Sequence, residues 1–190
     1  MDNKLKILSY LGKNMGRKFT MHELSMLVGI PYATFYRTIQ EMPDMLAKET
    51  AGKSTLISIN MKSEAAAPYL AIASLEEKKD KLARKPVIRK IADELMSKDI
   101  VVLFGSYAKG KETEQSDIDI LVVNKKGERS ISFSKYEMLF KKKINPVFVT
   151  EKEFKLMLKE KEENIGKQAL RDHIILNNAK AFWEAVFDGI

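Results

Sequence analysis

Apolar residues near the start of the chain recur three or four positions apart, as they do along one face of a helix. In the first such segment these residues are Leu5, Leu8 and Leu11. In the second segment, Thr20 and Glu23 have the spacing of a capping box, which predicts a helix whose N-terminus is capped by Thr20. The apolar residues expected on the buried side of this second helix are Leu24 and Leu27.

A third helix is predicted over residues 31–42, because Gly29 permits a tight turn and Pro31 suits the first turn of a helix. Its core-facing residues, spaced four and then three apart, are Phe35, Ile39 and Met42. The residues expected on its outer side are Tyr32, Ala33, Tyr36, Arg37 and Gln40. Arginine, glutamine and tyrosine side chains can contact base edges or phosphates.

Two short strand-like runs follow, joined at Gly52 and Lys53, which predicts a hairpin. Three helices followed by a hairpin resemble a winged helix-turn-helix domain, and we place this candidate DNA-binding domain at residues 1–66. The DNA-contacting residues would be Tyr32, Tyr36, Arg37, Gln40 and Lys53. The alternatives are a protein-interaction module of the same fold, tyrosines that only pack, and a Lys53 that is only solvated.

Over residues 67–190, helical segments alternate with short apolar runs, which favours an α/β or α+β domain with helices flanking a sheet. The runs Ile100–Phe104 and Ile144–Thr150 predict strands, and a third strand contains Ile118 and Ile120. Thr150 and Glu153 form a second capping-box pattern. One final helix is predicted from about Ile165, with His173 as a packed or surface residue and with the apolar residues Leu170, Ile174, Phe182, Trp183 and Phe187.

Candidate chemistry lies between two of these strands. Gly105 and Ser106 follow the apolar run Ile100–Phe104, so backbone N–H groups and a hydroxyl are placed to bind an anion such as phosphate. Asp117 and Asp119 fall on one face of the next strand, because side chains alternate along a strand. Two adjacent carboxylates favour a hard divalent cation, most simply Mg²⁺.

Composition narrows the class of protein. The chain lacks cysteine, which excludes disulfides, thiolate zinc sites and thiol nucleophiles. Its two histidines are far apart in the sequence, which disfavours an imidazole-rich metal site. The net charge is +7, and residues 1–66 carry nine Lys/Arg against six Asp/Glu, which favours polyanions as partners without deciding the matter. No stretch has the pattern of a transmembrane segment or a secretory signal, so we expect a cytoplasmic protein.

The motif GSxAxG followed by SDIDxLV resembles the signature of the nucleotidyltransferase superfamily that includes DNA polymerase β, and in particular its minimal branch. Its residues here are Gly105, Ser106, Ala108, Gly110, Ser116, Asp117, Asp119, Leu121 and Val122. The resemblance implies that Gly105 and Ser106 bind the triphosphate of an NTP. It also implies that Asp117 and Asp119 are catalytic residues that hold divalent metal ions.

The superfamily normally adds a third carboxylate from a neighbouring strand, but the candidate strand Ile144–Thr150 contains no acid. Asn145 is its nearest polar residue and a weak metal ligand, and Glu137, Glu151 and Glu153 are possible substitutes. From the resemblance, the expected function is Mg²⁺-dependent transfer of a nucleoside monophosphate to an unknown hydroxyl acceptor, coupled to DNA binding. The alternatives are a catalytically inactive regulator that senses nucleotide, and a toxin–antitoxin component. The possible protein partners are a second copy of the chain, as a homodimer, or a helical protein.

Overall fold

The computed structural model describes all 190 residues, which form ten helices and seven strands. The chain divides into two compact units, Met1–Ala73 and Ser74–Ile190. The division lies within the helix that starts at Ala66, which is also the last residue of the predicted first domain. None of the ten helices combines the length and the apolar character needed to cross a membrane.

The first unit contains three helices followed by a hairpin, in the predicted order. The helices are α1 (Asn3–Lys13), α2 (Met21–Leu27) and α3 (Tyr32–Gln40). The strands are β1 (Phe19–Thr20), β2 (Leu46–Ala51) and β3 (Ser54–Ile59), which form an antiparallel sheet in the order β1-β3-β2. The capping box of Thr20 and Glu23 is formed at the start of α2. Strand β1 was not predicted, because two residues are too few to show a strand pattern.

The core of the first unit follows most of the predicted pattern. Phe35, Ile39 and Met42 are fully buried, as expected for the inner face of α3. The prediction for Leu27 was wrong, since this side chain is 49% exposed. In α2 the buried face passes through Leu24 and then through Val28, which follows the helix four residues after Leu24, so Leu27 points away from it.

The second unit is built on a mixed four-stranded sheet. Its strands are β4 (Ile100–Phe104), β5 (Ile118–Asn124), β6 (Ile144–Thr150) and β7 (Ile174–Asn177), in the order β6-β5-β4-β7. Strands β5 and β6 are parallel, and β4 is antiparallel to both β5 and β7. The helices are α4 (Ala66–Leu82, which begins in the first unit), α5 (Pro86–Asp93), α6 (Gly105–Lys109), α7 (Ser134–Phe140), α8 (Glu151–Lys159), α9 (Ile165–Arg171) and α10 (Ala179–Gly189). The expected mixed sheet with flanking helices is therefore present.

The prediction of one final helix was wrong, because residues 165–189 form α9, β7 and α10. Leu170 and Ile174 have helical spacing, but the run from Ile174 to Leu176 is too short for its pattern to distinguish a helix from a buried strand. In the structure this run pairs with β4 and completes the sheet. His173 accordingly lies in the connection before β7, where it is buried against Phe182 and Trp183.

Candidate nucleotide and metal site

A sharp turn connects β4 to α6 at Gly105. All five residues of β4 are buried, so the strand holds the turn in a fixed place. Gly105 has a φ of 70°, in the region where side chains are disfavoured. A Cβ atom added to Gly105 would lie 2.3 Å from Oδ2 of Asp119. Glycine is therefore favoured here by the backbone conformation, and any larger residue would also displace the carboxylate packed against it.

The two aspartates occupy the start of β5 as the alternation predicts. Asp117 immediately precedes the strand and Asp119 lies within it, while Ile118 and Ile120 point into the core and are fully buried. Asp119 is opposite Phe104 in the antiparallel ladder, which places its carboxylate beside the turn at Gly105. The two carboxylates are half-buried and share one face of the sheet.

Lys143, which immediately precedes β6, and Asn145, which lies within it, add two polar side chains to this face. Asn145 is the register partner of Asp119, and the backbone carbonyl of Lys143 accepts a hydrogen bond of 2.9 Å from the N–H of Ile118. Side chains of paired residues in a parallel ladder lie on the same face. Lys143 and Asn145 therefore stand beside the two aspartates, at the edge of the sheet.

The polar contacts of the two aspartates differ. Oδ2 of Asp117 accepts a hydrogen bond of 3.0 Å from the Asn145 side-chain amide and lies 3.3 Å from Nζ of Lys143. These two contacts, that from Asn145 first, hold the pKa of Asp117 below its usual range. The carboxylate of Asp119 has no hydrogen-bond or ion-pair partner. One carboxylate is therefore occupied by the protein and the other is open.

The carboxylates of the site fit one divalent cation whose remaining ligands would come from a bound substrate and water. No group of three or more acidic, histidine or cysteine side chains is arranged to hold a metal ion. Mg²⁺ is commonly held by one or two carboxylates together with substrate phosphates and water, a pattern that Asp117 and Asp119 can meet. The Asn145 amide nitrogen is turned toward Asp117, so its oxygen is not the group that faces this carboxylate.

The three glutamates considered as substitutes for the third acid lie elsewhere. Glu137 accepts a hydrogen bond of 2.9 Å from the N–H of Ile144, whose side chain is on the opposite face of the sheet from Asn145. Glu153 forms the capping box with Thr150, which confirms that predicted box. Glu151 also begins α8, at the other end of β6 from Asn145. None of them completes a carboxylate triad with Asp117 and Asp119.

The polar residues after the Gly105 turn differ in whether their side chains are open to a ligand. Ser106 is half-buried, and its hydroxyl makes no hydrogen bond to another residue. Lys109 pairs with Asp172 at 3.2 Å, and Lys111 is exposed. The Ser106 hydroxyl is thus the side-chain donor at the turn that is open to a ligand.

In the first unit, the predicted DNA-contacting residues are exposed. Tyr32, Tyr36, Arg37 and Gln40 lie on the outer side of α3, and Lys53 is at the hairpin tip. Tyr32 lies between His22 and Tyr36, with ring centroids 6.2 and 6.5 Å away. The side-chain oxygen of Gln40 accepts a hydrogen bond of 3.1 Å from Nζ of Lys48.

The position of Lys143 beside Asp117 was missed by reasoning from the sequence. A signal was present, because Lys143 and Asn145 at the start of β6 have the same spacing as Asp117 and Asp119 at the start of β5. The alignment of the two strands, in which Asn145 is the partner of Asp119, is what places these two pairs of residues side by side. The register was not available from the hydrophobic pattern of either strand.

Comparison with known proteins agrees with this geometry. The family model described as "Nucleotidyltransferase domain" matches residues 85–182, which include α6, β5 and β6 and the residues Gly105, Ser106, Asp117, Asp119, Lys143 and Asn145. No curated protein and no solved structure matches the chain. The matched region covers more than half of the chain and supports a general function in nucleotidyl transfer with an NTP substrate. The chain belongs to the nucleotidyltransferase domain family.

Proposed function

We propose that the second unit transfers a nucleoside monophosphate from an NTP to a hydroxyl acceptor. The observation that carries this proposal is the close packing of Gly105 against Asp119, where a Cβ would lie 2.3 Å from Oδ2. This contact joins the turn that would bind phosphate to the carboxylate that would bind metal. The two parts of the site are thus held at a fixed separation, as transfer of a phosphoryl group requires.

Two groups of residues would have separate roles in the reaction. The Gly105 turn and the Ser106 hydroxyl bind the phosphates, and Asp117 and Asp119 hold Mg²⁺. The bound ion supplies charge neutralisation for the phosphate oxygens. In the reaction the acceptor oxygen bonds to the α-phosphorus, the bond from that phosphorus to the bridging oxygen breaks, and pyrophosphate leaves with the electron pair. The hydroxyl proton passes to water.

The first unit would bring this site to DNA. Its order of three helices and a hairpin supports a winged helix-turn-helix domain at residues 1–66. The exposed side of α3 supplies Tyr32, Tyr36, Arg37 and Gln40, and the hairpin tip supplies Lys53. Arg37 is the cation among the α3 residues, so it is the one expected to contribute most to DNA affinity.

A second candidate function, a nucleotide-sensing regulator without catalysis, is favoured by the β6 side of the site. Where the superfamily has a third carboxylate, this chain offers Asn145, whose amide donates to Asp117. Lys143 adds a positive charge beside the same carboxylate. A site with these features would retain phosphate binding while losing much of its affinity for a catalytic metal.

The two functions are separated by a transfer assay. The full chain is incubated with each of the four α-³²P-labelled NTPs, Mg²⁺ and a cell extract, beside an Asp119→Asn variant. Label on an acceptor that requires Asp119 is the expected result. If the wild-type protein binds NTP but labels no acceptor, the sensor replaces the transferase.

The acceptor hydroxyl is identified from the labelled product. Phenol extraction and nuclease treatment distinguish a nucleic-acid acceptor from a protein, and organic-phase separation detects a small molecule. Label that appears equally with Asp119→Asn comes from a contaminating enzyme and contradicts the proposed site.

A further inference from the structure

The pairing of β5 with β6 gives each aspartate its own neighbour. Asp119 is in register with Asn145, and the N–H of Ile118 donates to the carbonyl of Lys143. We propose that Lys143 is an internal counter-ion of Asp117, which nucleotide phosphate draws away so that a divalent metal can bind. This inference rests on the proposed function of the same site.

The backbone of Lys143 is fixed while its side chain is free to move. The hydrogen bond of 2.9 Å from the Ile118 N–H anchors its carbonyl at the start of the β5–β6 ladder. Its side chain is 68% exposed, and that of Asp117 is 38% exposed. The ammonium group can therefore leave Asp117 by rotation about side-chain bonds alone, without movement of the strand.

The charges explain why such a movement would matter. Asp117, Asp119 and Lys143 together carry one net negative charge, so a divalent cation alone meets a weakened field and a nearby ammonium group. An NTP brings several negative charges to the Gly105 turn. The phosphates offer Lys143 a second anionic partner and leave both carboxylates to the metal.

Asn145 strengthens the ligand-free arrangement. Its amide donates to Oδ2 of Asp117, the oxygen atom that also faces Lys143. Asp119, by contrast, has no partner to release. The counter-ion thus acts on one carboxylate only, and metal binding should depend on nucleotide through Lys143.

Lys143→Met tests this role because it keeps the aliphatic stem and removes the charge. Without nucleotide, its affinity for Mn²⁺ should rise about fivefold, since an exposed ion pair has modest strength. In EDTA, its affinity for NTP should fall by about the same factor. The first quantity is measured from the electron paramagnetic resonance signal of free Mn²⁺, and the second by calorimetry with each of the four NTPs.

Two control variants make the test specific. Lys141→Met removes an exposed charge from the same lysine run and should change neither affinity by more than about twofold. Lys143→Arg keeps the charge and should behave like the wild-type protein. A general structural defect would weaken both Mn²⁺ and NTP binding instead of moving them in opposite directions.

Each outcome has a distinct meaning. If Lys143→Met leaves Mn²⁺ affinity unchanged, or changes it no more than Lys141→Met does, the counter-ion role is overturned. If the wild-type protein binds no NTP with or without Mg²⁺, the proposed function fails. In that case the Mn²⁺ comparison alone upholds or overturns the pairing of Lys143 with Asp117.

Discussion

The two sides of the candidate site differ in how closely their groups are packed and in the partners of their carboxylates. On the β4–α6 side, Gly105 and Asp119 are packed so closely that a Cβ atom at Gly105 would lie 2.3 Å from Oδ2 of Asp119. On the β6 side, the carboxylate of Asp117 is met by an amide and an ammonium group instead of by another acid. The comparison indicates that the contact between Gly105 and Asp119 is the strict side of the site, and that the side-chain contacts of Asp117 form its adjustable side.

The largest effect is expected from Gly105→Ala on the strict side. The methyl group would meet Asp119, and alanine is strained at a positive φ, so the free energy of unfolding should fall by about 3 kcal/mol. NTP binding should be lost as well. Urea unfolding and calorimetry measure the two effects.

Gly110→Ala is the matched control for that variant. Gly110 also has a φ of 70°, but beyond the local backbone no atom lies within 4 Å of its added Cβ. Only the backbone strain remains, so the loss of stability should be about 1 kcal/mol. Equal losses for the two variants would mean that the contact with Asp119 contributes nothing.

Asn145→Asp tests the adjustable side by restoring a third carboxylate. The Mn²⁺ affinity should rise about tenfold, because the number of charged ligands increases. Without metal, three neighbouring carboxylates repel, so the melting temperature should fall and should recover when Mn²⁺ is added. Asn145→Ala, which adds no charge, should show neither the gain in affinity nor the recovery. An unchanged Mn²⁺ affinity in Asn145→Asp would place the metal away from β6.

Arg37→Ala tests whether the first unit binds DNA through α3. DNA affinity should fall about tenfold, and the dependence of binding on salt should become less steep. Fluorescence anisotropy with duplex DNA at several salt concentrations measures both. Lys62→Ala removes an exposed cation outside α3 and the hairpin and serves as the control. DNA binding that is insensitive to salt and to Arg37→Ala would remove α3 as the recognition helix.

The smallest effect is expected from a change at Glu94, which lies outside the candidate site. Its substitution measures how much surface ion pairs contribute to the free energy of unfolding. Hydrogen bonds from Lys135, Lys90 and Tyr136 lower its pKa to about 2. Because this pKa is depressed from about 4.5, its stabilising contribution is present above pH 4.5 and is lost as the pH falls toward 2. In Glu94→Gln the free energy of unfolding should therefore change less over this range than in the wild-type protein. A steeper acid dependence in the variant would reverse the assigned sign.

The sequence was sufficient for features that depend on local patterns. The strands Ile100–Phe104 and Ile144–Thr150 have the predicted bounds, and both capping boxes are formed. Strand β7 was missed because four residues carry too little periodicity to separate a strand from a helix. The pairing of Lys143 with Asp117 was missed for another reason, since it depends on how two distant strands align.

The central claim is that Gly105 and Ser106 bind nucleotide phosphate beside an acid pair from which Lys143 withdraws. A crystal structure with Mn²⁺ and an α,β-methylene NTP, whose α,β bond cannot be cleaved, tests it most directly. We expect phosphate oxygens at the Gly105 turn, an anomalous Mn²⁺ peak between Asp117 and Asp119, and Nζ of Lys143 on a phosphate. Nucleotide bound elsewhere, or a metal peak away from both aspartates, would contradict the claim.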